Sequence, residues 1–129
     1  MYSASMSSAL QQYQRIKISA PVEGASPHRL IQMLFEGALE QLSSAKGHLQ
    51  RGAIAPKGEQ IGKAISIIGG LRDGLNVEAG GELANKLDAL YDYMQRRLLL
   101  ANLNSDPAIL DEVANLLREV KAGWDGIGG

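Results

Sequence analysis

The sequence contains no cysteine among its 129 residues. Disulfide bonds and thiolate-bound metal centres are therefore excluded, and the fold must be held together by packing and hydrogen bonds. A chain of this length is typical of one domain with its own core.

The sequence also lacks a large charge of either sign and any long apolar run. The chain has 13 basic and 14 acidic residues, which gives a formal net charge of -1. We therefore expect no nucleic-acid partner. No apolar run reaches the roughly 18 residues of a membrane span, and we expect no membrane insertion. The N-terminal stretch MYSASMSSALQQY lacks the basic region and apolar block of a signal peptide, which predicts a cytoplasmic protein.

Aromatic residues are few, with one Trp, one Phe and four Tyr, whereas Leu, Ile and Ala are plentiful. This balance favours helix-on-helix packing over a sheet core. Apolar residues recur at intervals of three and four, and no alternating strand pattern of useful length is present. The sequence therefore predicts an all-α protein.

Four helices are predicted between residues 26 and 125. Ser26-Pro27 and Asp106-Pro107 are N-cap and first-turn signals that open the first and fourth helices. The second helix is predicted from Glu59 to Leu75, after a loop at 52–58, and the third over 80–102. Short connections predict antiparallel neighbours and an up-down-up-down four-helix bundle, with a disordered tail at 126–129.

Residues 1–25 are predicted to form a flexible N-terminal arm or a short capping helix. Leu10, Tyr13 and Ile16 share one face, and Pro21 and Gly24 then interrupt regular structure. Two interpretations remain open. The segment is either an arm that docks and lifts, or a permanent part of the core.

No catalytic, metal or cofactor motif is present. His28 and His48 are too far apart for a local metal motif and are read as separate surface residues. The alternative from the class of enzymes is an anion pocket between helices, built from Arg29, Arg72 and Arg96. We expect a protein that is not an enzyme and carries no cofactor or metal.

The predicted third helix, GGELANKLDALYDYMQRRLLLAN, has more apolar surface than one packing seam uses. The second helix carries four glycines, which are unfavourable inside a helix and indicate close approach of another backbone. A groove that accepts a partner segment would use this surface. The competing interpretation is that a compact bundle buries all of it.

Several segments resemble the family of FliS flagellin export chaperones, in the same order. They are Tyr13-Gln14, SPHRLIQMLFEGAL at 26–39, KAISIIGGLRDGL at 63–75, LDALYDYMQRRLLLAN at 87–102, and LDEVANLL at 110–117 followed by Trp124. The most specific are MLFEG and LYDYMxRRLxxAN. The resemblance covers nearly the whole chain apart from the head and the Gly-rich tail.

The resemblance implies a helical bundle that binds the disordered C-terminal segment of flagellin in the cytoplasm. Such binding prevents premature polymerisation and keeps flagellin competent for flagellar type III secretion, with the export-gate apparatus as a further partner. A generic helical adaptor protein is the second alternative to this function.

The resemblance also implies that the arm covers the client site when it is empty, a role that falls on Tyr13 and Ile16. Matched segments together with periodicity give the groove-lining candidates on the second and third helices, which are Ile65, Ile68, Leu71, Leu87, Tyr91 and Met94. Within LYDYM, Leu90 is expected to face the core and Tyr91 the client.

Overall fold

Residues 25–127 fold into four helices, as the sequence predicted for this part of the chain. The structure, a computed structural model, describes residues 25–127, and for residues 77–79 the backbone only. The helices are α1 (Pro27–Gln50), α2 (Ile54–Asp73), α3 (Val77–Asn104) and α4 (Pro107–Ile127). Within that range there is no strand, and no helix is both long and apolar enough to cross a membrane.

The helices form a closed ring in which each packs on its neighbours in sequence and α1 also packs on α4. Contacts between their ends show that neighbours are antiparallel. His28 at the start of α1 touches Trp124 near the end of α4, and Lys57 in the first turn of α2 reaches Ser105 just after α3. The up-down-up-down bundle is therefore confirmed.

The start signals of α1 and α4 act as the sequence predicted. The Ser26 hydroxyl accepts a hydrogen bond from the Arg29 amide at 3.1 Å, and Pro27 is the first residue of the helix. At α4 the Asp106 carboxylate accepts from the Ala108 amide at 3.0 Å, one residue after Pro107. Both caps satisfy backbone donors that have no partner inside the helix.

The starts of two helices differ from the prediction, and the ends of the same helices lie at Asp73 and Asn104 instead of at 75 and 102. Helix α2 begins at Ile54, so the predicted loop at 52–58 was wrong over its last five residues. Pro56 lies in the first turn of α2, where a missing backbone donor costs nothing. Helix α3 begins at Val77 and is interrupted at Gly81, whose φ of 57° and ψ of -131° are not helical. The pair Gly80-Gly81 therefore kinks a longer helix instead of preceding it.

The end of α4 lies at Ile127, three residues beyond Trp124. This helix includes the first two residues of the segment predicted as a tail. Gly128 and Gly129 lie outside the described residues.

The core runs along the axis of the ring and is built by Leu, Ile, Ala, Val, Met and Phe from all four helices. Lys57 is the one buried cation among the described residues, with 2% of its surface exposed. Its ammonium group donates to the Asn102 carbonyl and the Ser105 hydroxyl, both at 2.9 Å. Lys57 thus caps the C-terminus of α3.

Candidate functional site

An apolar cavity opens at the end of the bundle where α1 and α3 begin and α2 and α4 end. Its volume is about 400 Å³, and a second hollow of about 420 Å³ adjoins it along Leu75, Leu83 and Leu87. A cavity of this size holds several apolar side chains of a partner. The residues that line the first cavity are Ile31, Phe35, Leu71, Gly74, Leu75, Leu83, Leu87, Tyr91, Glu119, Val120, Gly123, Trp124 and Ile127.

The rim of this cavity is formed by large apolar residues that face solvent. Leu83 is 67% exposed and Ile127 is 72% exposed. Exposed leucine and isoleucine side chains around an apolar hollow mark a surface that a partner covers. We therefore take this cavity as the candidate functional site.

One wall of the cavity is held by a pair of aromatic residues that joins α1 to α4. The imidazole of His28 stacks on the indole of Trp124 with ring centroids 4.9 Å apart. Two hydrogen bonds reinforce the stack, because Trp124 Nε1 donates to the His28 carbonyl at 3.0 Å and His28 Nε2 lies 2.8 Å from the Trp124 carbonyl. The expectation that His28 is an isolated surface residue was wrong.

The predicted groove residues on α2 and α3 divide into three groups. Leu71, Leu87 and Tyr91 line the cavity. Ile68 and Met94 are fully buried in the core. Ile65 is half-buried beside the core, outside the cavity wall, and Tyr13 and Ile16 lie outside the described residues.

The two neighbours in LYDYM are arranged differently from the expectation. Tyr91 is 3% exposed and belongs to the core cluster, whereas Leu90 is only half-buried. Tyr91 nevertheless lines the cavity as well, so it contacts both the core and the candidate site. Burial raises the pKa of its hydroxyl far above the usual value, and the group stays protonated.

The predicted groove residues include none from α1 or α4, although both helices contribute to the site. Ile31 and Phe35 from α1, and Val120 and Trp124 from α4, form the walls opposite α2 and α3. The only available signal was the second apolar row on α1, which includes Ile31 and Phe35. Nothing local in the sequence relates these residues to the end of α4.

The three arginines of the proposed anion pocket do not form one site, because two of them share a carboxylate and the third lies elsewhere. Arg72 bridges α2 to α3 through Asp88 at 2.7 Å and Asp92 at 3.0 Å, and Arg96 pairs with the other oxygen of Asp92 at 2.9 Å. Arg29 instead pairs with Glu36 on α1. None of the three lines the cavity, so the alternative of an arginine-lined pocket was wrong.

The glycines of α2 do not all mark close approach of a backbone. A side chain at Gly62 would meet open space, while one at Gly69 would meet the Gln95 amide group at 3.2 Å. Near the opposite end of the bundle from the cavity, four more large apolar residues are exposed. These are Ile54 at 59%, Leu99 at 60%, Leu100 at 41% and Leu103 at 80%.

Comparison with known protein families shows to which family the chain belongs. The model of the family described as flagellar protein FliS matches residues 9–129. The chain belongs to the FliS family.

Relatives of this FliS-family chain are similar over most of their length. A flagellar secretion chaperone FliSB from Pseudomonas aeruginosa is 57% identical over 119 residues, which cover 92% of this chain and 94% of the relative. Flagellar secretion chaperones FliS from Salmonella typhimurium and Vibrio cholerae are 46% and 43% identical. The matches cover 96% and 95% of this chain, respectively, and 90% of each relative.

Proposed function

We propose that this protein is a cytoplasmic, non-enzymatic flagellar export chaperone that binds the disordered C-terminal segment of flagellin. Binding would prevent premature polymerisation and keep flagellin competent for type III secretion, with delivery to the export-gate apparatus. The observation that carries the proposal is the apolar cavity with its exposed leucine and isoleucine rim, in a chain of the FliS family.

The physics of such a client agrees with this site. A disordered segment loses conformational entropy when it orders on a surface, and this loss offsets part of the contact energy. Apolar side chains that enter the cavity supply the contact energy, at about 25 cal/mol per Å² of apolar surface buried. The result is an affinity that protects the client but still permits its release.

The test is a calorimetric titration with flagellin and with flagellin lacking its C-terminal segment. We expect binding of the first and not of the second. Equal binding of both, or binding of neither, would contradict the proposal.

A pair of matched variants locates the site on the chaperone. Leu83→Asp places a charge on the cavity rim, and Leu103→Asp places one on the exposed apolar surface toward the other end of α3. Both side chains are mostly exposed, so both variants should fold. We expect Leu83→Asp to weaken client binding strongly and Leu103→Asp to leave it nearly unchanged. The reverse order would move the client site to the far end of the bundle.

A further inference from the structure

We propose that the hydroxyl of Tyr91 is a hydrogen-bonding subsite within the apolar cavity, and that it donates to an acceptor oxygen of the client peptide. This inference rests on the proposed function and specifies what the client must present. It assigns to one side chain a contribution to specificity that apolar contact alone does not provide.

The cavity wall carries very few polar groups. Trp124 Nε1 already donates to the His28 carbonyl, and Glu119 is exposed. Tyr91 is the remaining lining residue with a side-chain hydrogen-bonding group. Its hydroxyl is therefore the side-chain hydrogen-bonding group that the buried part of this wall offers to an occupant.

The Tyr91 hydroxyl has no hydrogen-bond partner among the residues that the structure describes. The residue as a whole is only 3% exposed, but the fully buried unpaired side-chain oxygen in this part of the chain is that of Gln41, so the Tyr91 oxygen keeps access to the cavity that the residue lines. Buried tyrosine hydroxyls normally find a partner. Tyr93, two residues further along α3, does so by donating to the Glu112 carboxylate at 2.5 Å. The difference between the two tyrosines indicates that Tyr91 receives its partner from outside the bundle.

The hydroxyl is protonated throughout the physiological range, and burial raises its pKa further. A protonated hydroxyl can donate one hydrogen bond to an acceptor. A peptide that enters the cavity always brings carbonyl oxygens, which are strong acceptors. A carbonyl or side-chain oxygen of the client next to Tyr91 would complete the hydrogen bond.

The Tyr91 hydroxyl would make the cavity bind two kinds of segment with different affinity. A wholly apolar segment would displace water from the cavity and leave the hydroxyl without a hydrogen-bond partner, which is unfavourable. An occupant with a correctly placed acceptor avoids that loss. Sites that contain a buried hydrogen-bonding group discriminate strongly against ligands that lack its partner.

The test compares Tyr91→Phe with Tyr93→Phe in the full-length protein, using calorimetric titration with flagellin. Tyr91→Phe should weaken flagellin binding roughly two- to tenfold, the range for one net hydrogen bond. It should not weaken binding of the apolar dye 1-anilinonaphthalene-8-sulfonate, and its melting temperature without client should not fall. Tyr93→Phe, which loses the bond to Glu112, should melt earlier yet bind flagellin as the wild type does.

Two results would overturn the inference while leaving the proposed function intact. One is wild-type flagellin affinity in Tyr91→Phe, and the other is equal weakening of flagellin and dye, which would indicate a changed cavity shape. A wild-type protein that binds no flagellin would overturn the proposed function and this inference with it.

Discussion

At the scale of single residues, His28 and Trp124 connect the first turn of α1 to the last turns of α4. The stacked rings and their two hydrogen bonds to backbone carbonyls join segments that are 96 residues apart. Trp124 also lines the cavity, so the position of one cavity wall depends on His28.

His28→Ala should lower the free energy of unfolding by about 1–2 kcal/mol, because it removes an aromatic stack and a hydrogen bond. Trp124 is the only tryptophan, so selectively excited tryptophan fluorescence reports on this site alone. We expect a red shift of emission as Trp124 becomes more exposed. His48→Ala is the matched control and should leave the emission unchanged. Unaltered emission in His28→Ala would show that Trp124 is held by other contacts.

A second prediction for a single residue concerns Gln41 and its effect on stability. It is 5% exposed, and its side-chain oxygen has no hydrogen-bond donor among the residues that the structure describes. Gln41→Met keeps the length of the side chain and removes the unpaired oxygen. Urea unfolding should show a stabilisation of about 1 kcal/mol, whereas Gln50→Met at the exposed end of α1 should change little. A clear loss of stability in Gln41→Met would mean that the amide is paired in solution.

At the scale of the helices, α3 is held between its neighbours by two charged networks. Arg72 on α2 bonds Asp88 and Asp92, and Arg97 on α3 bonds Glu112 on α4 at 2.9 Å. The hydrogen bond from Tyr93, followed by the one from Arg97, lowers the pKa of Glu112. The bonds from Arg96 and Arg72 lower the pKa of Asp92.

The lowered pKa values of Glu112 and Asp92 predict that the folded protein is less stable at acidic pH. A carboxyl group whose pKa is lower in the folded state contributes stability above its unfolded pKa, near 4, and loses it as pH falls through the folded value. Melting temperature should therefore fall below about pH 4.5. Glu112→Gln should be less stable than wild type at pH 7 and should lose less on acidification, so the two curves converge. Glu82→Gln, an exposed control, should parallel wild type, and parallel curves for Glu112→Gln would contradict the assignment.

The kink in α3 gives a prediction about two glycines. Gly81 has a positive φ that side-chain-bearing residues rarely adopt, whereas Gly62 is helical, exposed and surrounded by open space. Gly81→Ala should lower the free energy of unfolding by about 1–3 kcal/mol. Gly62→Ala should raise it by about 0.5–1 kcal/mol through improved helix propensity. A stable Gly81→Ala variant would show that α3 can straighten through this position.

At the scale of the whole molecule, the N-terminal segment joins the bundle next to the candidate site. Residue 25 lies three residues before His28, whose partner Trp124 lines the cavity. The 24 residues before it include Tyr13 and Ile16 and lie outside the described residues. We propose that they cover the cavity when no client is bound.

Deletion of residues 1–18 should increase binding of an apolar dye and should not weaken client affinity, because the deletion uncovers the cavity. The same deletion combined with Leu83→Asp should reduce the dye signal if the dye occupies the cavity. Fluorescence titration measures both. Unchanged dye binding together with lost client binding would identify the arm as part of the site instead of its cover.

Much of this architecture is determined by local signals that the sequence carries by itself. Ser26-Pro27 and Asp106-Pro107 open helices because a capping oxygen and a proline satisfy the requirements of a first turn wherever they occur. Apolar spacing gives four helices, and short connections make them antiparallel. The missing cysteines exclude disulfide bonds and thiolate-bound metals before any coordinate is known.

The tertiary structure alone decided how wide apolar stripes divide between core and site. Leu90 and Tyr91 are adjacent, about 100° apart around α3, and only the position of neighbouring helices determines which of them is more buried. The same holds for Ile31 and Trp124, which meet at one cavity because the bundle closes α1 against α4. Periodicity gives the direction of a side chain from its own helix axis. What lies in that direction depends on long-range packing, which no local pattern encodes.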